Sequence, residues 1–265
     1  MDGTGVPMVS TETKERIGKI AGERARTREA KLGCVFTQAH IDKKGRPIRE
    51  EASTTYTGAI ETAEEFGKRI YREAWKRGWS RAKKKVIIGD GAEWIWNLVV
   101  EHFPEAIEIV DLYHARQHLW DVARQLHPNE EVKQKTWMKI HQKRLLDKGK
   151  IEKLVAALRA IHTTNPQIAE KIRTEADYFE RNAERMRYPQ FRRQHFVCWL
   201  GCDRSCMQDG DRLTSETIGN VLDRARRQCH SRPACQPPQR SLRAILGESN
   251  NRGLATTTMS RTRGG

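Results

Sequence analysis

The sequence predicts an α/β fold with a mixed sheet, followed by an all-α region. Two short β-branched runs, residues 85–89 and 107–110, each end beside an aspartate and are each followed by a helical pattern. Strands that alternate with helices are typical of a sheet covered by helices. Residues 129–187 show only helical spacing, with breaks at Gly149 and Asn165. At 37% hydrophobic content, the 265 residues suffice for one domain of ordinary size.

Two elements are predicted before the first of these strands. Residues 32–41 read as a strand, and residues 42–45 supply turn residues for a hairpin back toward residues 54–56. Apolar residues then recur at helical spacing over residues 60–75, and Gly78 suits the end of that helix. The first half of the chain is therefore expected to place strands and helices in alternation.

Each of the two later strands is followed by an aspartate, and each aspartate is followed directly by a helix. The helix after Asp90 spans about residues 92–102 and is ended by Pro104. The helix after Asp111 continues through residue 122. The pattern strand, carboxylate, helix thus occurs twice.

Composition predicts a nucleic acid as the partner. The formal net charge is +15 and the isoelectric point is about 9.8, and basic proteins gain free energy by displacing the counterions of nucleic acids. A solvated basic surface is the alternative. No apolar run approaches the ~18 residues of a membrane span, and the first residues carry no signal region. We expect a cytoplasmic protein without a membrane partner.

The last quarter of the chain changes character. Five of the six cysteines lie there, lysine is absent after Lys171, and residues 204–265 contain no aromatic residue. Such a segment buries little apolar area, so it does not offset its ordering entropy. We expect an α/β region over residues 1–127, a helical region over 128–195 and a poorly ordered tail over 196–265, with folded sequence ending near Trp199.

The cysteine-rich tail has an alternative interpretation as a zinc-dependent nucleic-acid-binding or regulatory module. Some cysteine spacings fall in the loose range for structural zinc, but no paired Cys-x-x-Cys knuckle is present. The candidate ligands are Cys198, Cys202, Cys206, Cys229, His230 and Cys235.

Three aspartates are candidates for chemistry. Asp90 follows a strand at the sheet edge where α/β proteins bind ligands, although it could instead cap the next helix. Asp111 has the same two interpretations, and His114 is either its partner across one helical turn or a surface histidine. Asp2 lies in a glycine-rich segment. Separated aspartates at strand ends can hold divalent cations that activate water against a phosphodiester.

Several segments of the sequence resemble insertion-sequence transposases of the ISKra family. They are Asp-Gly-Thr-Gly-Val-Pro (2–7), Gly-Asp-Gly-Ala-Glu-Trp-Ile-Trp (89–96), Asp-Leu-Tyr-His-Ala-Arg (111–116), Tyr-Phe-Glu-Arg-Asn (178–182) and Arg-Met-Arg-Tyr-Pro (185–189). They occur in the family's order and cover roughly residues 1–195.

This resemblance implies a ribonuclease H-like core with a DDE triad that cuts and joins DNA by magnesium-dependent transesterification. It implies that Asp2 is the first acid and Asp90 the second, and that both are Mg²⁺ ligands. Asp111, His114 and Arg116 would support the site or contact DNA. The partners implied are transposon ends and target DNA, with a homo-oligomer if the protein is intact.

The chain departs from the family after His195. The expected Val-Ile-Glu-Ala segment with the third acid is absent, and Phe196 begins a different sequence. Codons permitted by residues 202–212, read one base later, encode Val-Ile-Glu-Ala followed by a family-like continuation. We therefore expect a frameshift near Phe196, either mutational or programmed, and sequence missing before Asp2. A chain with two of three acids is expected to be inactive by itself.

Overall fold

A computed structural model describes residues 1–7, 27–38, 40–43 and 45–199. These residues all belong to one compact unit, Met1–Cys229. The strands are β1 Asp2–Pro7, β2 Thr27–Val35, β3 His40–Ile41, β4 Pro47–Ile48, β5 Thr55–Ala59, β6 Val86–Gly89 and β7 Ile107–Val110. The helices are α1 Ala63–Lys76, α2 Glu93–His102, α3 Leu112–Leu126, α4 Glu131–Ile140, α5 Ile151–Arg159, α6 Pro166–Arg181 and α7 Tyr188–Arg193. The predicted α/β class is confirmed at this level.

The first sheet is antiparallel, with β2 between β1 and β5. Asp2 pairs with Leu32, and Cys34 pairs with Tyr56. The predicted bounds of the strand over residues 32–41 were wrong. Strand β2 begins at Thr27 and ends at Val35, which is also the last residue that pairs with β5. Within that stretch, His40–Ile41 form β3, which pairs with β4 in a short antiparallel hairpin.

Helix α1 packs against the first sheet through one apolar face. Thr62 and Glu65 form a capping box at its start, so the backbone donors there are satisfied. Phe66 and Ile70 are buried on the face toward β2. Gly78 has φ +88°, a left-handed conformation that glycine adopts without strain, and ends this segment as predicted.

The second sheet consists of the parallel strands β6 and β7, with Ile88 opposite Ile109. Both side chains are buried, as is typical of strands covered on two faces. The Met1 amino group donates a hydrogen bond to the Ile88 carbonyl at 2.6 Å. The start of β1 therefore lies beside β6, which brings the two sheets together where Asp2 and Asp90 lie.

The region after α3 is helical, as predicted. Helix α4 continues into a π-helical turn, His141–Leu145, and a 3₁₀ turn that ends at Gly149 (φ +65°). Asn165 caps α6, and its side chain accepts from the amide of Gln167 at 2.9 Å. Breaks predicted at Gly149 and Asn165 are thus the observed helix boundaries.

The packed structure continues past His195. Phe196 and Cys198 are both buried in the core, and the Leu112 amide donates to the Cys198 carbonyl at 2.9 Å. These first residues of the predicted tail therefore hold the start of α3. The remainder of the tail, residues 200–265, lies outside the described residues, as does the predicted disorder.

Candidate active site

Three residues singled out from the sequence meet at one place. Asp2 begins β1, Asp90 follows β6, and His114 lies in the first turn of α3 after β7. The Asp2 Oδ2 and His114 Nε2 atoms are 3.6 Å apart, and the Asp2 carboxylate is close enough to Asp90 to raise its pKa. The fold therefore creates a pair of carboxylates with an imidazole beside them.

The turn that carries Asp90 is held from two directions. Its Oδ1 accepts from the Ala92 amide at 2.8 Å, and its backbone carbonyl accepts from the Tyr178 hydroxyl at 2.8 Å. The N-cap position of α2 is Ala92, so Asp90 is not the capping residue. Gly91 has φ +96°, and a Cβ there would lie 2.6 Å from Tyr178 Cε2. Glycine is thus required for the turn to approach α6.

The surroundings shift the pKa values of the two carboxylates in opposite directions. Burial raises the pKa of Asp90 above its ordinary value, and the nearby Asp2 raises it further. Burial also raises the pKa of Asp2, but His114, the Met1 amino group and the Gly3 amide together leave this pKa below its ordinary value. The same interaction with Asp2 raises the pKa of His114. Two close negative charges of this kind are stabilised by any cation placed between them.

Asp111 is a helix cap in this structure. Its side chain is 3% exposed and accepts from the amides of Tyr113 (2.7 Å) and His114 (3.4 Å). It thereby fixes the first turn of α3 and aims His114 at Asp2. Of the two interpretations of His114, partner of Asp111 or surface histidine, neither describes its contact with Asp2, since the Asp111 carboxylate accepts from the His114 backbone amide and the His114 side chain lies 3.6 Å from Asp2.

Arg116 is engaged by an acid of the helical region. Its guanidinium donates twice to Asp147, at 3.2 and 2.9 Å, and both side chains are largely buried. A bidentate pair of this geometry fixes α3 against the turn before Gly149.

Two features of this region were missed from the sequence. One is Tyr178, which holds the Asp90 turn. The other is Glu175, a 2% exposed carboxylate that contacts His118 Nδ1 and Lys171 Nζ, both at 2.6 Å. Glu175 lies among the buried apolar residues of α6, next to Ile172. A charged residue at such a core position could have been recognised from the sequence as one that needs a buried partner.

A groove of about 610 Å³ runs along α3 from His114. It is lined by Tyr113, His114, Arg116, Gln117, His118, Trp120, Asp121, Arg124 and Gln142. Its side chains are aromatic, amide and charged groups, so it differs from an apolar cavity.

The donor atoms present limit how a metal could be held. The described part of the chain contains no cluster of three or more His, Cys, Asp or Glu side chains arranged to hold a metal ion by themselves. Cys198 is buried, and burial raises the pKa of its thiol to about 11, which disfavours the thiolate that zinc requires. The other five residues of the predicted zinc set lie outside the described residues.

Comparisons with known proteins add no family to this description. No protein-family model, no curated protein and no solved structure matches the chain. Among the described residues, no helix has both the length and the apolar character needed to cross a membrane.

Proposed function

We propose that this chain is the ribonuclease H-like catalytic region of a DNA transposase and carries two of its three catalytic acids. The observation that carries the proposal is the meeting of Asp2 and Asp90, which are distant in sequence and lie at adjoining strand ends. The hydrogen bond from the Met1 amino group to the Ile88 carbonyl joins the start of β1 to β6, and this proximity of the sheets β1–β2–β5 and β6–β7 supports the proposal.

The carboxylate pair fits a magnesium ion. Mg²⁺ is commonly bound through one or two carboxylates, while water and substrate phosphates complete its shell. Burial raises the pKa of Asp90 and repulsion by Asp2 raises it further. A dication would relieve that repulsion, so the pair favours one. When bound, Mg²⁺ would polarise the phosphodiester of the substrate and activate a water molecule. Asp2 and Asp90 would hold the ion, and the contact with His114 would orient Asp2.

DNA as the substrate is supported by charge. The chain carries a net charge of +15, and the groove that starts at His114 offers a route to the two acids. Because the third acid is missing from the sequence after His195, we propose a site that binds metal and DNA but does not cut DNA unaided.

The proposal is tested by titrating Mn²⁺ into the full chain in an isothermal calorimeter. We expect one site of Mn²⁺ binding, weakened about tenfold or more by Asp2→Asn and by Asp90→Asn, since even groups that only support metal ligands matter to this degree. Asp177→Asn, an exposed acid on α6, is the matched control and leaves binding unchanged. If Mn²⁺ bound with unchanged affinity to both Asp2→Asn and Asp90→Asn, or did not bind to the wild-type chain, the proposed metal site would be wrong.

The transposase assignment has an independent test in the gene. We expect the bases from the Arg193 codon onward, read in the shifted frame, to encode Val-Ile-Glu-Ala. A repaired gene joining the two frames should then yield a protein with DNA cleavage activity. If the shifted frame contains no such segment, the transposase assignment falls and the cysteine-rich tail is genuine protein.

A further inference from the structure

We propose that the groove along α3 binds a single-stranded segment of nucleic acid and leads it to the carboxylate pair. The inference rests on the proposed function for the identity of that pair. His114 belongs both to the groove lining and to the contact with Asp2. A ligand lying in the groove at His114 is therefore next to the side chain that contacts Asp2.

One stripe of α3 supplies the surface for stacking. Tyr113, Gln117, Trp120 and Arg124 follow one another at intervals of four, three and four residues, which places them on one face of the helix. All four line the groove. Tyr113 is 53% exposed, so its ring contributes little to the core. Aromatic rings interleaved with amide and basic side chains are typical of single-strand binding sites.

The groove lining also includes a histidine of α3 that is held in a fixed orientation. His118 Nδ1 lies 2.6 Å from the buried Glu175, and its ring stacks on Tyr178 at 3.9 Å between centroids. Because a carboxylate only accepts, the proton of this bond lies on Nδ1. In the described part of the chain Nε2 has no hydrogen-bond partner. This atom is thus available to a base edge or a phosphate oxygen.

Charge near the groove favours a polyanion. The π-helical turn that contributes Gln142 also carries the exposed Lys143 and Arg144. From Glu131 to Lys153 the sequence contains eight Lys or Arg residues against three Asp or Glu residues, a net charge of +5. A phosphate backbone is attracted to such a segment by counterion release.

Unpaired bases suit this site better than duplex bases. The open face of Tyr113 can stack on a base only when that base is not already stacked within a helix. We therefore expect a single strand of the same length to bind more tightly than its duplex.

The test is fluorescence anisotropy with labelled oligothymidine and its duplex, using the full chain in EDTA. Tyr113→Ala should weaken binding of the single strand about tenfold, because stacking of one base is lost. Tyr56→Ala is the matched control, since Tyr56 is 54% exposed but lies on β5 outside the groove lining. Equal affinities for both variants, or stronger binding of the duplex, would overturn the inference.

Two further measurements separate this inference from the metal site and from misfolding. Asp2→Asn and Asp90→Asn should retain binding of the single strand in EDTA, so loss of metal binding alone leaves the groove assignment standing. In the wild-type chain, oligonucleotides containing iododeoxyuridine should form photo-crosslinks to the peptide that contains Tyr113. Crosslinks confined to other peptides would refute the groove as the binding site.

Discussion

Replacement of Gly91 by alanine probes the turn that positions Asp90. Gly91 has φ +96°, where an alanine costs about 1–2 kcal/mol in backbone strain. The new methyl group would lie 2.6 Å from Tyr178 Cε2 and 2.7 Å from its hydroxyl oxygen, well inside normal contact, so the ring must move. Overpacking of this kind costs about 1–3 kcal/mol. We expect Gly91→Ala to lower the free energy of unfolding by about 2–5 kcal/mol.

The assay is urea unfolding followed by tryptophan fluorescence, with Gly45→Ala as the control. Gly45 has φ +73°, and no atom lies within 4 Å of the position that an alanine methyl group would occupy there. This variant therefore reports backbone strain alone, about 1–2 kcal/mol. Adding Tyr178→Ala to Gly91→Ala removes the clash, and the two losses should be non-additive by about 1 kcal/mol or more. Equal losses at the two glycines, together with additivity at Tyr178, would refute the close approach of α6 to this turn.

Two other side chains allow further predictions about stability. Asp111→Ala should cost about 1–2 kcal/mol by removing the cap of α3, whereas Asp111→Asn should retain most of that stability in the same urea assay. Glu175→Gln should cost about 1.5–3 kcal/mol at pH 7, because His118 and Lys171 lose a buried charged partner. The pKa of Glu175 is lowered in the folded chain, since its two partners outweigh burial, so its contribution is present above the ordinary value near 4.5 and is lost as pH falls through the folded pKa. Wild type and Glu175→Gln should therefore converge in acid, and a constant difference down to about pH 3 would contradict this assignment.

The local elements of this fold were predicted well from the sequence. Val86–Gly89 and Ile107–Val110 are short β-branched runs followed by aspartates, and both are strands that lead into helices. Gly78, Gly149 and Asn165 end or begin helices where they were expected to do so. These signals succeed because periodicity and turn chemistry act within a few residues.

Contacts between distant segments were not predictable in the same way. From the sequence, Asp90 and Asp111 could each either cap the following helix or belong to a ligand site. Only the packed structure shows which of the two aspartates is a cap. Asp111 lies where two amides of α3 point at its carboxylate, so it caps. Asp90 lies beside Asp2 because β1 adjoins β6, an arrangement that depends on which strands pair.

The sequence by itself determined the alternation of strands and helices over residues 85–122, the helical region after it, the basic charge and the aspartates that follow β6 and β7. The tertiary structure alone decided that His114 faces Asp2, that Tyr178 holds the Asp90 turn and that Glu175 is buried against His118. The physical reason is that local propensities depend on neighbouring residues along the chain. Side-chain partnerships depend instead on how α3, α6 and the strand ends pack in space.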